Sequence, residues 1–296
     1  MIDTLYPALV AWGKVNRCLK RHWRLTLPTM VPILGRYGPF LLYGYTVALA
    51  AGILLGLALT ARLAARPQQA DLTRTWFDVF LLCLTGALLG GRIGFVLGEW
   101  AYFQERLPLA WRIWQGGLSY HGALFGGLLL LGVWAVVGKR PFFSLLDLFT
   151  PAFVLLHGFG WLACWLDGCA YGRETILHGV PWLDWLAASQ PDNFGIIALR
   201  YQTQLLGGLS AAFVGLPLWR WARRAAPGAL FLLSLTLLSL TRIPLTWTRG
   251  DNVPLVANLR LDMLLDALLV FVSLLLLQYR VSFRRDHMAK PGEHGE

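Results

Sequence analysis

Apolar runs, each about as long as a membrane helix, are separated by short polar stretches that collect most of the charges. Seven runs are found, over 39–63, 76–97, 117–137, 142–166, 205–221, 229–247 and 261–277. A helix needs about 20 residues to cross the hydrocarbon of a bilayer, and it satisfies its backbone hydrogen bonds internally on the way. The pattern predicts an all-α polytopic membrane protein of about seven transmembrane helices. Residues 167–204 form the longest connection and carry Pro181, Trp182, Trp185, Pro191 and Phe194. They are expected to fold as an outer-side, periplasmic cap or lid, because long ordered loops are commonly functional. The chain thus divides into a basic interfacial arm (1–37), a seven-helix membrane domain (38–279) and a tail (280–296).

Orientation follows from the basic residues near the ends of the runs. Arg62, Arg66 and Arg74, then Lys139 and Arg140, then Arg220, Arg223 and Arg224, then Arg280, Arg284 and Arg285 all fall on one side, which is therefore expected to be cytoplasmic. The other connections mix signs, as in Arg173 with Glu174, Asp184 and Asp192. The prediction is a multi-pass membrane protein with its N-terminus outside and its C-terminus in the cytoplasm. Lys14, Arg17, Lys20, Arg21, Arg24 and Arg36 place positive charge before the first run, against that rule. An amphipathic interfacial helix with Leu9, Trp12, Val15, Leu19 and Trp23 on one side reconciles the two. The start lacks the pattern of a cleavable signal peptide.

Composition narrows the classes further. Of 296 residues, 56% are hydrophobic and 14% charged, against about 25% charged in soluble proteins. A net charge of +10 invites a nucleic-acid reading, but the basic residues stand at the ends of apolar runs, next to anionic headgroups, so the partner is the lipid bilayer and not nucleic acid. Cys18, Cys83, Cys164 and Cys169 make no disulfide framework, and Cys164 and Cys169 have the spacing of neither a zinc site nor a redox pair. They read as small packing residues.

Ionisable residues inside apolar runs carry the candidate chemistry, because a charge at bilayer depth costs about 2.5–3.5 kcal/mol and faces the protein interior or a wet cavity. They are Arg92, His121, Asp147, Arg242 and Asp266, with His157 as a sixth. Arg92 stands among Gly90, Gly91 and Gly94, where its fork either grips an anion or pairs with Asp266. His121 follows Gly116 and Gly117 and precedes Gly122, and either moves a proton or packs as a neutral ring. Arg242 and Arg249 are two helical turns apart, and Pro244 lies between them. Asp147 reads as a helix-terminus residue. Tyr43 is either core or a phenol reaching a headgroup. No zinc cluster, nucleotide loop or serine nucleophile elbow is present.

The stretches Gly90-Gly91-Arg92-Ile93-Gly94-Phe95-Val96-Leu97 and Gly116-Gly117-Leu118-Ser119-Tyr120-His121-Gly122-Ala123-Leu124-Phe125-Gly126 resemble two characteristic segments of the prolipoprotein diacylglyceryl transferase family. Tyr43-Gly44, Asp147 with Pro151, Arg200 with Thr203-Gln204-Leu205, and the pair Arg242 and Arg249 extend the resemblance over roughly 38–277. It implies transfer of a diacylglyceryl group from phosphatidylglycerol to the thiol of a prolipoprotein lipobox cysteine, with no cofactor or metal. It assigns His121 and Arg242 to catalysis, and Tyr43, Arg92, Gly117, Gly122, Arg173 and Arg249 to substrate binding. The family signature Gly-Arg-x-Gly-Asn-Phe-x-Asn-x-Glu-x-x-Gly aligns with 160–172, where Trp161 replaces the Arg, Cys164 and Asp167 the two Asn, and Cys169 the Glu. Thr246 stands where the family has a Glu between the two arginines. These departures leave open another lipid headgroup or acceptor, or a non-catalytic lipid-binding or transport protein.

Overall fold

The computed structural model describes residues 33–37, 40–65, 75–176, 184–192, 194–221 and 226–289. The basic arm from Lys14 to Arg24, Arg66, Arg74, Arg223, Arg224, Pro181 and Trp182 lie outside the described residues. A hairpin of β1 (Ile33–Tyr37) and β2 (Phe40–Tyr43) leads into α1 (Gly44–Ala64) and α2 (Trp76–Gly98). A short α3 (Trp100–Phe103) and two 3₁₀ turns (Leu107–Trp111, Ile113–Gln115) connect to α4 (Tyr120–Val137) and α5 (Phe142–Asp167). The antiparallel pair β3 (Ala187–Pro191) and β4 (Ile197–Tyr201) precedes α6 (Thr203–Trp221). Last come α7 (Ala229–Thr248), the small pair β5 (Leu255–Val256) and β6 (Leu259–Arg260), and α8 (Leu261–Ala289).

Helices α1, α2, α4, α5, α7 and α8 are long and apolar enough to cross a membrane, and α6 adds a shorter apolar stretch, Thr203–Leu218. The chain is a polytopic α-helical membrane protein. Three run boundaries shift for local reasons. The first helix begins at Gly44 because Phe40–Tyr43 spend their backbone hydrogen bonds on β1. The third begins at Tyr120 because Gly116 and Gly117 have φ of +85° and +74°, outside the right-handed helix, and the Ser119 side chain then caps the amide of Gly122. The last continues past 277, so part of the tail is helical; there Arg280 donates to the Pro227 carbonyl and lies over Phe143.

The helices pair as α2 on α4, α1 on α5 and α7 on α8, with α6 against α5 and α7. The core holds Val79, Leu124, Leu131, Leu145, Phe231, Leu235 and Leu269. The tightest seam is α2 on α4, where Gly86 and Gly90 meet Gly122 and Gly126 so closely that a Cβ on Gly126 would strike the Gly86 carbonyl. Small residues let backbones approach where lipid offers no hydrophobic drive to associate. Asp147 is a helix-terminus residue of a neighbour: its carboxylate accepts from the amides of Gly228 (2.7 Å) and Phe231 (3.0 Å) at the start of α7, whose N–H groups lack partners within the helix.

At the opposite end, Thr46 donates to the Trp114 carbonyl, Gln204 to that of Cys169, and Gly172 bridges to Arg249. The start of α1 and the ends of α5 and α7 therefore share a face with the α2–α4 connection. Here Cys164 and Cys169 form a disulfide, correcting the reading of both as packing residues. The reason is Gly168, whose left-handed φ of +83° ends α5 and folds the chain back, leaving the two Cα atoms 4.6 Å apart. Above this turn the β3–β4 hairpin is latched by buried Arg200, which donates to Glu174 (3.2 Å) and Asp192 (3.1 Å) and lies over Tyr171. Asp192 also accepts from the amides of Phe194 (2.8 Å) and Ile196 (2.9 Å). Desolvation pushes its carboxyl up, but these amides and Arg200 outweigh that and hold it below the usual carboxylate range.

Two outcomes follow. Gly126→Leu is expected to lower thermal stability in detergent by about 1–3 kcal/mol or more through overpacking, whereas Gly208→Ala, inside α6 with nothing within 4 Å of its added Cβ, holds or raises the melting temperature. Because Asp192 binds its proton less readily when folded, its contribution is present above about pH 4 and is lost as pH falls through the lower folded value. Hydrogen exchange at the amides of Phe194 and Ile196, corrected for intrinsic rates, is expected to rise at acid pH in the native chain and to lose that pH step in Asp192→Asn.

Candidate functional site

At the end of the bundle that carries the disulfide, α4, α7 and α8 each contribute one ionisable side chain to a single buried cluster. Asp266, with no exposed surface, accepts from His121 Nε2 at 3.0 Å and from Arg242 Nε at 3.1 Å on both carboxylate oxygens. The Arg242 guanidinium lies 3.9 Å from the centroid of the Tyr120 ring and 5.9 Å from that of Trp161. An arginine packed on an aromatic face is held in plane as well as paired. Among the described residues, neither terminal nitrogen of Arg242 nor Nδ1 of His121 has a hydrogen-bond partner. The cluster therefore presents one imidazole nitrogen and the fork end of one guanidinium.

The other arginines are placed differently. Arg92 is buried and donates to four carbonyls: Nε to Ala110 (2.5 Å), Nη2 to Leu109 (2.7 Å), and Nη1 to Gly116 (2.8 Å) and Gly117 (3.1 Å). Its fork holds the connection that runs into His121 and does not meet Asp266. Arg249 donates to Asp251 and to Asp262 (3.2 Å), and Arg260 pairs with the same two carboxylates. Burial alone would push the Arg249 guanidinium down; the hydrogen bond and charge of Asp251, with that of Asp262, outweigh it and hold Arg249 above its ordinary value. The expected open ladder of Arg242 and Arg249 is thus one open residue and one neutralised one.

The remaining predicted residues take structural places around this centre. Gly117 carries the carbonyl that Arg92 grips, and a Cβ there would enter the Phe95 ring and meet Arg92 Nη1. Gly122 faces Gly90 across the α2–α4 seam, so its lack of a side chain serves helix approach. Arg173 donates through its backbone amide to the Thr248 carbonyl (2.7 Å) and through Nε to that of Arg249 (3.3 Å), binding the strand after the disulfide to the end of α7. Tyr43 is the extended residue that opens α1.

Trp161 points into the bundle, its indole N–H donating to His157 Nε2 at 3.1 Å. Gly207 of α6 leaves the space that the ring fills, since a Cβ there would overlap it. His157 Nδ1 and the Tyr120 hydroxyl are buried without a partner among the described residues. One member of the site is not singled out by the sequence: Tyr120 stands beside His121 as one more apolar-compatible residue. Asp266 reads in the sequence as a partner for a buried arginine, and Arg242 is that arginine. The signal for Asp266 was its depth, since few carboxylates fall inside the apolar runs.

The family model for Prolipoprotein diacylglyceryl transferase matches residues 32–279. Three relatives carry the name phosphatidylglycerol–prolipoprotein diacylglyceryl transferase. That of Bacillus licheniformis is 27% identical over 261 residues, 86% of this chain and 94% of its own length. That of Acaryochloris marina is 30% identical over 236 residues, 76% and 81%. That of Trichormus variabilis is 33% identical over 152 residues, 51% and 52%, so against it the chain spans about half the relative's length. With the family's matched region covering the whole bundle and the cluster at its end, the chain belongs to the prolipoprotein diacylglyceryl transferase family.

Proposed function

We propose that this chain transfers a diacylglyceryl group from phosphatidylglycerol to the thiol of a prolipoprotein lipobox cysteine. The observation that carries the reading is the buried junction of His121 and Arg242 on Asp266, which leaves a proton-accepting nitrogen beside a free guanidinium edge. In the reaction His121 takes the thiol proton, because the thiolate is the nucleophile. Sulfur forms a bond to the glycerol carbon that carries the phosphate ester, that carbon's bond to oxygen breaks, and the electron pair leaves on glycerol phosphate. Charge gathers on the leaving phosphate, where a fixed guanidinium stabilises it most. Arg242 takes this role. Arg92 and Arg249 act through the backbone and carboxylates they hold, with Gly117 and Arg173 shaping the same rim and Tyr43 at the lipid approach.

The reading places the protein in the bacterial inner membrane with the site, the β3–β4 cap and the N-terminus outside and the C-terminus cytoplasmic. Two observations support this. Lys139, Arg140 and Arg280 lie at the end away from the site, as basic cytoplasmic loops require. The disulfide lies at the site end, and disulfides persist where the compartment is oxidising. A second reading, the same chemistry on another headgroup or acceptor, draws support from Trp161, which puts an indole and no charge within 6 Å of Arg242.

In a host depleted of its own transferase, this chain is expected to restore lipidation of a reporter lipoprotein, read by mass. His121→Ala and Arg242→Ala are each expected to lower the rate about 10²–10⁴-fold at normal expression. Failure of the native chain to lipidate, with a new lipid or acceptor product in the extracts, would establish the second reading. Full activity of His121→Ala would end both.

A further inference from the structure

Asp266 lies on α8, in neither of the segments that carry His121 and Arg242, and it has no exposed surface. A carboxylate in that position is costly unless its partners are well placed. Two donors reach it from two other helices, His121 Nε2 from α4 and Arg242 Nε from α7. A carboxylate only accepts, so Nε2 of His121 must carry the hydrogen. In a neutral imidazole the lone pair then belongs to Nδ1.

The same carboxylate sets the attitude of Arg242. A guanidinium commonly meets a carboxylate with two nitrogens side by side, which would close its fork. Here Nε alone approaches both oxygens at 3.1 Å, and the Tyr120 ring 3.9 Å away covers one face. With one edge and one face fixed, the terminal nitrogens form the free edge.

We infer that Asp266 is the positioning residue of the site: it fixes His121 with Nδ1 as the base and turns Arg242 so that both terminal nitrogens face the substrate phosphate. The inference rests on the transferase reading above for its chemistry, but the geometry it assigns has a readout independent of activity. Both oxygens lie 3.1 Å from Arg242 Nε, and Oδ1 also takes the His121 hydrogen. An Asn at 266 therefore sets its amine against Arg242 Nε–H whichever way its amide turns, and it removes the negative charge that offsets the imidazolium formed when His121 takes a proton. Glu keeps two acceptor oxygens and the charge.

The test uses the full chain in detergent or nanodiscs, selectively ¹⁵N-labelled at histidine, with the His121 signals assigned by their absence in His121→Gln. The native chain is expected to show His121 protonated at Nε2. With phosphatidylglycerol and a lipobox peptide, Asp266→Asn is expected to lose about 10²–10⁴ in kcat while the KM for the peptide stays within a few-fold. Asp266→Glu is expected to keep the Nε2 tautomer and recover most of the rate. A native His121 protonated at Nδ1, or an Asp266→Asn chain that keeps its kcat, would overturn the inference. If Asp266→Asn does not fold, the native tautomer and the Glu variant decide: an Asp266→Glu chain that folds with the Nδ1 form refutes it. If the native chain transfers no diacylglyceryl group, the transferase reading fails while the spectra still judge Asp266.

Discussion

A carboxylate buried where three helices meet must be satisfied from all of them or it destabilises the fold, and Asp266 imposes that demand on α4, α7 and α8 at once. Removing one partner from a buried ion pair typically costs about 3–5 kcal/mol, because the other charge is stranded away from water. His121 and Arg242 are therefore tied to each other through Asp266, although they stand far apart in sequence. Stability and candidate chemistry draw on the same three side chains: the donor nitrogens Nε2 and Nε satisfy Asp266, and the opposite edges of His121 and Arg242 remain open.

Around this junction the chain gives its positive charges unequal work. Arg92 holds carbonyls of the 109–117 connection, and with the Gly86–Gly126 and Gly90–Gly122 contacts it fixes where α4 starts and so where His121 sits. Arg249 and Arg260 share Asp251 and Asp262 in a four-member network that closes the turn between α7 and α8. Of Arg92, Arg242 and Arg249, it is Arg242 whose two terminal nitrogens have no hydrogen-bond partner among the described residues. The Cys164–Cys169 bridge ends α5 one turn above Trp161, and Gly207 has no side chain where that indole needs room. The replaced signature is thus a packed structural unit.

Much of this was legible in the sequence, because the signals are local. Apolar runs of membrane length gave the helices, and bilayer energetics singled out Arg92, His121, Arg242 and Asp266. What the sequence withheld was partner choice. Arg92 and Arg242 look alike in isolation, and only the fold shows that one faces carbonyls while the other faces Asp266. The disulfide was missed because spacing says nothing about a left-handed turn at Gly168. The first helix began later than its apolar run because a strand takes the same residues that an apolar count assigns to a helix.

The most direct measurement is an experimental structure of the chain in nanodiscs containing phosphatidylglycerol. The lipid phosphate should lie within hydrogen-bond distance of the Arg242 terminal nitrogens, with Asp266 still on His121 Nε2 and Arg242 Nε. A phosphate seated on Arg92 or Arg249, with their carbonyl or carboxylate partners displaced, or an Asp266 parted from His121, would contradict the account.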